Sequence, residues 1–221
     1  MTVKNTKINC GSDFLIPKSE WVSPDELSGE EAVLTHPIIH KAFNRILEDF
    51  KPTHEIAFLS LCTTTRPYSK SSKWKTFMAE FGNSCDLIVC SNGGVIPQKY
   101  WECYPFMTYD APHLNEDWTP MYIDFQHQKL TEFFSKFTSY KKLIFNFRPH
   151  LRNRIAVERF LQEPISSNFE IHIVPSETVY ERAKARGFNH GMMVPDLDDY
   201  VLDELRESVG IKSIVKNSLW G

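Results

Sequence analysis

The chain has 221 residues and a net charge of −3, from 25 lysines and arginines against 28 aspartates and glutamates. That length suits one domain, or one domain with an extension, and it can bury a hydrophobic core without disulfides. A composition of 13% aromatic and 24% charged residues excludes a disordered chain, and the near-neutral charge argues against a strongly basic nucleic-acid-binding protein.

The hydrophobic pattern predicts a polar N-terminal extension followed by alternating helices and strands. Residues 1–36 contain scattered prolines and glycines and are predicted to lie over the core in an extended form. The predicted helices are Pro37–Phe50, Lys73–Phe81, Met121–Phe137, Arg152–Gln162, a helix capped by Ser176 and ended by Gly187, and Leu197–Val209. The predicted strands are Ile56–Cys62, Asp86–Cys90, Lys142–Phe147 and Phe169–Val174.

These strands are short, continuous apolar runs, which is typical of strands buried on both faces of a parallel sheet. Because the strands alternate with helices, the connections between parallel strands are expected to be right-handed crossovers. We therefore predict a three-layer α/β/α sandwich with a short, mainly parallel, four-stranded central sheet. Residues 37–221 would form this single domain, with a helical C-terminal part at 176–221.

Ligands of parallel sheets bind beyond the carboxyl ends of the strands, so the segments after the strands are the candidate sites. The segment after the first strand, Thr63–Lys75, is rich in hydroxyl groups and contains no acid. Hydroxyls, amides and cations at a helix N-terminus can form an anion site; the alternative is a solvated, capped loop. Its cations are Arg66, Lys70, Lys73 and Lys75.

The segment after the second strand combines a Gly93–Gly94 pair, which permits close approach of a ligand, with many aromatic residues. Aromatic side chains can stack on a nucleobase, although filling the core is the more frequent use. Asp110 lies between aromatic and proline-flanked positions, where burial would perturb its pKa. The aromatic residues are Tyr100, Trp101, Tyr104, Phe106 and Tyr109.

After the third strand, Arg148, His150, Arg152 and Arg154 fall within seven residues. Cations at a helix N-terminus oppose the helix dipole, so this placement favours a compensating ligand anion over a merely solvated helix start. The stretch 196–207 is acidic instead, and the two basic segments could together follow a nucleic-acid backbone.

Several familiar signatures are missing from the sequence. It contains no P-loop, no Gly-x-Gly-x-x-Gly after a strand, no Gly-x-Ser-x-Gly and no zinc-deaminase motif. The histidines are dispersed, so we predict neither a metal site nor a cofactor. Five cysteines without a Cys-x-x-Cys pair argue against a disulfide framework. With no signal peptide and no apolar run of roughly 18 residues, a cytoplasmic protein without membrane contact is expected.

Two segments resemble the archaeosine synthase family. Its signature is Pro-Cys, three residues, Lys-Pro-Tyr, two residues, Ser, two residues, His. At the same spacing this chain has Leu61-Cys62, Arg66-Pro67-Tyr68, Ser71 and Trp74, so Cys62, Pro67, Tyr68 and Ser71 match. The family's Gly-Val-Val-Pro, Tyr-Pro and Tyr-Asp correspond in order to Gly94-Val95-Ile96-Pro97, Tyr104-Pro105 and Tyr109-Asp110.

The resemblance covers roughly residues 37–175, the core domain of that family. It implies chemistry on a cyano-deazaguanine base already placed in tRNA, in which an amine adds to the nitrile carbon to form an amidine. A small amine or an amino acid would be the donor. Since the chain has no room for the family's other domains, a separate protein could deliver the substrate, and DNA or another hypermodified base could replace tRNA.

A looser likeness is to the uracil-DNA glycosylase fold, through Pro67-Tyr68 after the first strand and Arg148-Pro149-His150 after the third. Such a likeness between folds carries little functional weight. Because Arg66 stands where the glycosylases have a water-activating aspartate, hydrolysis by their route is not expected.

The leading hypothesis is a nucleobase-modifying transferase. Cys62 is the candidate nucleophile toward an electrophilic carbon such as a nitrile, Asp110 the candidate for proton transfer, and Ser71 a third catalytic candidate. Arg66 and Arg148 would hold a phosphate or a substrate carboxylate. The other candidate substrate-binding residues are Pro67, Tyr68, Asn92, Gly93, Gly94, Tyr109 and His150.

Two alternatives stay open at this point. The chain could be a non-catalytic nucleic-acid- or nucleotide-binding module of a modification complex. The loss of the signature's lysine and histidine, at Arg66 and Trp74, favours this alternative. The chain could also be a glycosylase-like enzyme that acts on free modified nucleotides.

Overall fold

The computed structural model describes residues 15–109, 119–187 and 195–211. The helices, in chain order, are α1 (Glu30–Thr35), α2 (Pro37–Asp49), α3 (Ser72–Phe81), α4 (Thr119–Lys136), α5 (Arg152–Phe160), α6 (Glu177–Ala185) and α7 (Asp199–Val209). The strands are β1 (Ile56–Leu61), β2 (Asp86–Ser91), β3 (Gly94–Pro97), β4 (Lys142–Asn146) and β5 (Glu170–Val174). No described helix is both long and apolar enough to cross a membrane.

The five strands form one mixed sheet in the order β3-β2-β1-β4-β5. Strand β1 pairs in parallel with β2 and β4, and β4 pairs in parallel with β5. Strand β3 runs antiparallel to β2, with Ser91 opposite Gly94. The α/β class and the parallel core are confirmed, whereas the prediction of four strands is wrong. The three-layer arrangement stays a prediction.

The missed strand, β3, is short and follows a glycine pair, so its sequence looks like a turn. Gly94 has φ +104°, which glycine adopts at little cost. A Cβ atom there would also lie 3.3 Å from the ring of Phe43. The chain therefore reverses tightly after β2, and the residues that look like a loop pair with the strand they follow.

The helix predictions are confirmed to within two or three residues at each end, and local capping explains the bounds. The Ser176 Oγ accepts a hydrogen bond from the amide of Val179 (3.4 Å), and Gly187 follows α6 with φ +80°. Helix α7 begins at Asp199 rather than Leu197 because the carboxylate of Asp198 accepts the amide of Tyr200 (3.0 Å) as its N-cap.

The described part of the N-terminal extension contributes to the core. It contains short helical turns and α1, where an extended form was expected. The buried side chains of Leu15, Ile16, Leu27 and Val33 belong to the same hydrophobic cluster as the strands. The proposed boundaries at residues 36 and 175 stay predictions.

Ion pairs join the acidic C-terminal stretch to the remainder of the domain. The Lys73 Nζ lies 2.6 Å from the carboxylate of Asp196, and both side chains are buried. Arg206 on α7 donates two hydrogen bonds to Glu80 on α3, at 2.9 and 3.1 Å. The basic and acidic segments therefore neutralise each other in part, and Lys73 is not available to a nucleic-acid backbone.

Candidate active site

The loops after β1, β2 and β4 meet at the carboxyl edge of the sheet. The order β3-β2-β1-β4-β5 places β1 between β2 and β4, and the chain leaves β1 toward β2 but leaves β4 toward β5. Such a change of direction opens a crevice at the carboxyl ends of the strands, where ligands of α/β proteins bind. Cys62, the residue after β1, donates its amide to the carbonyl of Cys90 (3.1 Å) and stands at this point.

A chain of buried hydroxyl groups lies at the carboxyl end of β2. The Tyr68 and Tyr109 hydroxyls are 2.6 Å apart, and the Tyr109 hydroxyl donates to the Ser91 Oγ at 2.7 Å. The Ser91 Oγ also accepts the amide of Gly93 at 3.1 Å. Burial raises the pKa of both tyrosines, so their hydroxyls stay protonated and act as hydrogen-bonding groups.

The guanidinium of Arg66 covers the same pair of rings. Its Cζ lies 4.4 Å from the ring centre of Tyr68 and 4.9 Å from that of Tyr109. It also donates to the carbonyl of Thr63. Burial works against its charge, but Tyr68, Tyr109 and Cys62 outweigh burial and raise the pKa of Arg66. The site therefore carries a fixed positive charge beside the hydroxyl chain.

A second charged group involves helices α1, α4 and α5. The Arg152 Nη1 lies 2.6 Å from the Glu30 Oε1, which also accepts from the Asn92 Nδ2 at 3.3 Å. The Arg152 guanidinium stacks 3.5 Å from the ring centre of Tyr122, whose hydroxyl accepts from the Asn153 Nδ2 at 2.7 Å. Burial is the main cause that raises the pKa of Glu30 and lowers the pKa of Arg152.

Cys62 connects the two groups. It lies near enough to Arg66, Tyr68 and Tyr109, and to Tyr122 and Arg152, to contribute to the pKa shifts of these five groups. The residue is half-buried, unlike the other described cysteines. A partly exposed thiol near two arginines is a candidate nucleophile.

Cys90 shares the strand-end position of Cys62 but not its surroundings. It is fully buried, and burial raises the pKa of its thiol far above the ordinary range. Cys90 therefore packs as a small apolar residue.

The structure brings several predicted site residues together and separates others. Arg66, Tyr68, Asn92, Gly93 and Tyr109 lie in the arrangement above, beside Cys62. Asp110 lies outside the described residues. Their roles toward a ligand stay predictions.

Ser71 and Trp74 belong to the start of α3. Ser71 is the buried N-cap of this helix, and the contacts between described residues do not link its side chain to Cys62 or Arg66. Trp74 is fully buried against Trp101, with ring centres 4.6 Å apart. The indole thus fills the core at the position where the archaeosine synthase signature has histidine.

The segment after β4 contributes less cationic surface than the sequence indicates. Arg152 is neutralised by Glu30, so the interpretation that its charge requires a ligand anion is wrong. Arg154 is held by the carbonyl of Phe147 (3.3 Å) and by Glu158 (3.5 Å). Arg148 is half-buried and has no ion pair with a described residue, while His150 is exposed at φ +65°.

The remaining predicted features prove to be core packing. Tyr100, Trp101, Tyr104 and Phe106 are buried, which bears out the alternative that these aromatics fill the core rather than stack on a base. A Cβ atom on Gly93 would lie 3.0 Å from Phe106 and 3.2 Å from Tyr109. Internal packing therefore requires glycine at position 93. Pro67 is half-buried beside Arg66.

Five residues of the site were not predicted from the sequence: Glu30, Ser91, Tyr122, Gln126 and Asn153. Tyr122 and Gln126 are four residues apart on α4 and share one helix face, a spacing that the sequence does show. Gln126 donates to the carbonyl of Ser91 from that face. For Glu30 we find no signal in the sequence, since it lies in a polar segment beside another glutamate.

Glu30 gives a prediction about pH. Because its pKa is raised in the folded chain, the folded state holds its proton at a pH where the unfolded state has lost it, and stability falls as pH rises through that window. Glu30→Gln removes this loss. We expect the free energy of unfolding of the variant, relative to the wild type, to rise from about pH 4 to about pH 7.

Urea denaturation of both proteins across that pH range measures the effect. Glu31→Gln, at the exposed neighbour, is the matched control and should differ from the wild type by a constant amount. A Glu30→Gln difference that is equally constant with pH would show that the fold does not disfavour the ionised acid.

These features define an α/β domain with a cysteine-centred polar site at the carboxyl edge of its sheet. The chain belongs to the family described as "Domain of unknown function (DUF5591)", which it matches over residues 39–181. That range begins within α2 and ends within α6, so it includes Cys62, Arg66, Tyr109 and Arg152.

The chain is also similar to archaeosine synthase subunit alpha of Thermoplasma acidophilum, with 32% identity over 84 residues. This match covers 36% of the chain and 16% of that protein, so the chain spans a small part of its relative. Among solved structures, it is similar to the crystal structure of AF0587, a protein of unknown function. The TM-score is 0.48 at 20% identity, over 75% of this chain and 56% of that one.

Proposed function

We propose that this chain is a tRNA-modifying enzyme domain of the archaeosine synthase type, in which Cys62 attacks the nitrile carbon of a cyano-deazaguanine base. The observation that carries the proposal is the position of Cys62, which is partly exposed at the carboxyl end of β1 and lies near Arg66 and Arg152. The sequence similarity to an archaeosine synthase subunit supports it, as does the signature match at Cys62, Pro67, Tyr68 and Ser71.

The proposed chemistry has two steps and needs no oxidant or reductant. The thiol of Cys62 adds to the nitrile, so that a sulfur–carbon bond forms, one carbon–nitrogen π bond breaks and the thiol proton passes to the nitrogen. The amine donor then attacks the thioimidate carbon, and the sulfur leaves with a proton to restore the thiol. The base gains an amidine.

The surroundings of Cys62 suit this sequence of events. Arg66, which is half-buried and has no carboxylate partner among the described residues, stabilises negative charge that develops on sulfur or nitrogen. The Ser91 hydroxyl accepts from Tyr109 and from the Gly93 amide, so its own proton is left to donate to the nitrile nitrogen as that atom becomes basic. In the proposal Arg148, which has no ion pair among the described residues, contacts a phosphate of the tRNA.

Asp110 keeps its proposed role as the group that moves a proton between amine and leaving thiol. Asp110→Asn preserves the size of the side chain but replaces the basic carboxylate by a neutral amide, so we expect conversion of the base to fall by about 10²–10⁴-fold. The measurement is mass spectrometry of nucleosides from tRNA treated with each protein. Thermal stability and tRNA binding should be unchanged, and full conversion by Asp110→Asn would refute the role.

The rival function is a binding module without catalysis. The burial of Trp74 supports it, because no ionisable group replaces the histidine of the signature at that position. A module of this kind would bind tRNA through the same edge of the sheet but leave its bases unchanged.

Salt titrations of tRNA and duplex-DNA binding separate specific recognition from charge alone. Arg148→Ala should weaken tRNA binding, whereas Arg154→Ala, whose guanidinium is held by Phe147 and Glu158, is the matched control with a smaller effect. Tight binding without conversion supports the module. Absence of binding at modest salt refutes both the tRNA-modifying enzyme and the tRNA-binding module.

A further inference from the structure

Three buried oxygen atoms at the carboxyl edge of the sheet have no hydrogen-bond partner among the described residues. They are the Glu30 Oε2, the Gln126 Oε1 and the Asn146 Oδ1. Buried acceptors without partners are costly and rare. Three of them at one edge of a sheet indicate a ligand that brings hydrogen-bond donors.

The two amide oxygens are oriented by the groups that bind the nitrogens. The Gln126 Nε2 donates to the Ser91 carbonyl, which can only accept. The Ser60 hydroxyl donates its proton to the main-chain carbonyl of Asn146, so its Oγ can only accept from the Asn146 side chain. The Asn146 Nδ2 therefore donates to the Ser60 Oγ, at 3.3 Å. Both oxygens are therefore left to accept.

The contacts of Glu30 place its carboxylate over the end of β1. Its Oε1 binds Asn92, which follows β2, and Arg152, at the start of the helix that follows β4. Since β1 lies between β2 and β4, the carboxylate spans the strand that leads to Cys62. Glu30 is only 7% exposed, so its free oxygen is in the interior of the site rather than in solvent.

From this arrangement we infer that Glu30 is the specificity residue of the site and binds the lactam N–H and exocyclic amine of a guanine-type base through its Oε2. This inference rests on the proposed function and names the group that selects the base. Glu30 lies outside the range matched to the family, 39–181, so the N-terminal extension would supply the selecting group.

The charge balance favours neutral donors over a cationic ligand. Arg152 already neutralises the carboxylate, and Arg66 adds a second positive charge to the site. A protonated amine bound at the Oε2 would therefore lie beside the guanidinium of Arg152, in a site that also holds the charge of Arg66. The N–H groups of a nucleobase edge add no charge, and all three free oxygens can accept them.

The test compares binding of two bases by calorimetry: 7-cyano-7-deazaguanine and the same base without its 2-amino group. We expect the wild type to bind the amino form about tenfold tighter or more. In Glu30→Gln the amide oxygen faces Arg152 and the amide nitrogen faces the base, so the preference should fall close to one. Glu31→Gln, an exposed neighbour, should keep the full preference.

Each result decides the inference. Equal binding of the two bases by the wild type overturns it, even where Glu30→Gln does not fold. An undiminished preference in a folded Glu30→Gln overturns it as well, and so does absence of binding to either base. If the preference depends on Glu30 but replacement of Cys62 leaves conversion intact, the inference stands and the proposed covalent chemistry fails.

Discussion

Cys62→Ala should abolish conversion of the nitrile base in tRNA, with a rate reduction of about 10³-fold or more. The thiol forms the only covalent bond between the protein and the base in the proposed route, and alanine cannot replace it. Because the side chain is small and half-buried, stability should change by no more than about 1 kcal/mol. Turnover is measured by nucleoside mass spectrometry, and the covalent intermediate by the mass of the intact protein.

Cys85→Ala is the matched control. Cys85 is also a free thiol, but it precedes β2 at the opposite edge of the sheet, and burial raises its pKa to about 12. This variant should keep turnover and adduct formation, whatever it loses in stability. If Cys62→Ala retains more than about a tenth of wild-type turnover, the thiol is not the nucleophile.

Asp196→Ala should destabilise the domain by about 3–5 kcal/mol, the usual cost of leaving a buried partner charge unpaired. Lys73 would be the uncompensated charge, since its ammonium is buried against Asp196 and lies 5.8 Å from the ring centre of Trp74. Urea denaturation at neutral pH gives the free energy of unfolding. Glu207→Ala, an exposed acid on α7, should change it by less than about 0.5 kcal/mol.

The double variant Lys73→Met/Asp196→Leu separates the pair from its surroundings. Replacement of both charges by apolar groups removes the unpaired ion, so most of the lost stability should return. A double variant as unstable as the sum of the single variants would show that the two residues act independently. In that case the acidic stretch would not be joined to α3 through this contact.

The sequence predicts those parts of the fold whose signal is local. The parallel strands are continuous apolar runs, and four of the five were predicted within one residue at either end. Strand β3 escaped prediction because Gly93-Gly94 and Pro97 are residues typical of turns. Its strand conformation depends on pairing with β2, which no short window of sequence contains.

The site likewise has a part that the sequence predicts and a part that depends on contacts between distant segments. The segments of Cys62, Arg66, Tyr68 and Tyr109 were predicted because a parallel sheet brings the ends of its strands to one edge. Glu30 enters the site through a contact with Arg152, 122 residues away along the chain.

The charge pattern of the sequence does not show which charged residues pair with each other in the fold. The basic segment after β1 and the acidic C-terminal stretch appear in the sequence as separate surfaces. In the fold, Lys73 pairs with Asp196, 123 residues away along the chain, and the two segments neutralise each other in part. Net charge along the chain therefore overstates the cationic surface that a nucleic acid could meet.

The most direct test of the proposal uses purified protein and a tRNA that carries 7-cyano-7-deazaguanine, with ammonium and the common amino acids as amine donors. After digestion, mass spectrometry reports the modified nucleoside. The proposal predicts that the nitrile nucleoside disappears and that a nucleoside heavier by the mass of one donor takes its place, in the wild type but not in Cys62→Ala. A nitrile nucleoside that persists while the protein binds the tRNA would contradict the proposed function.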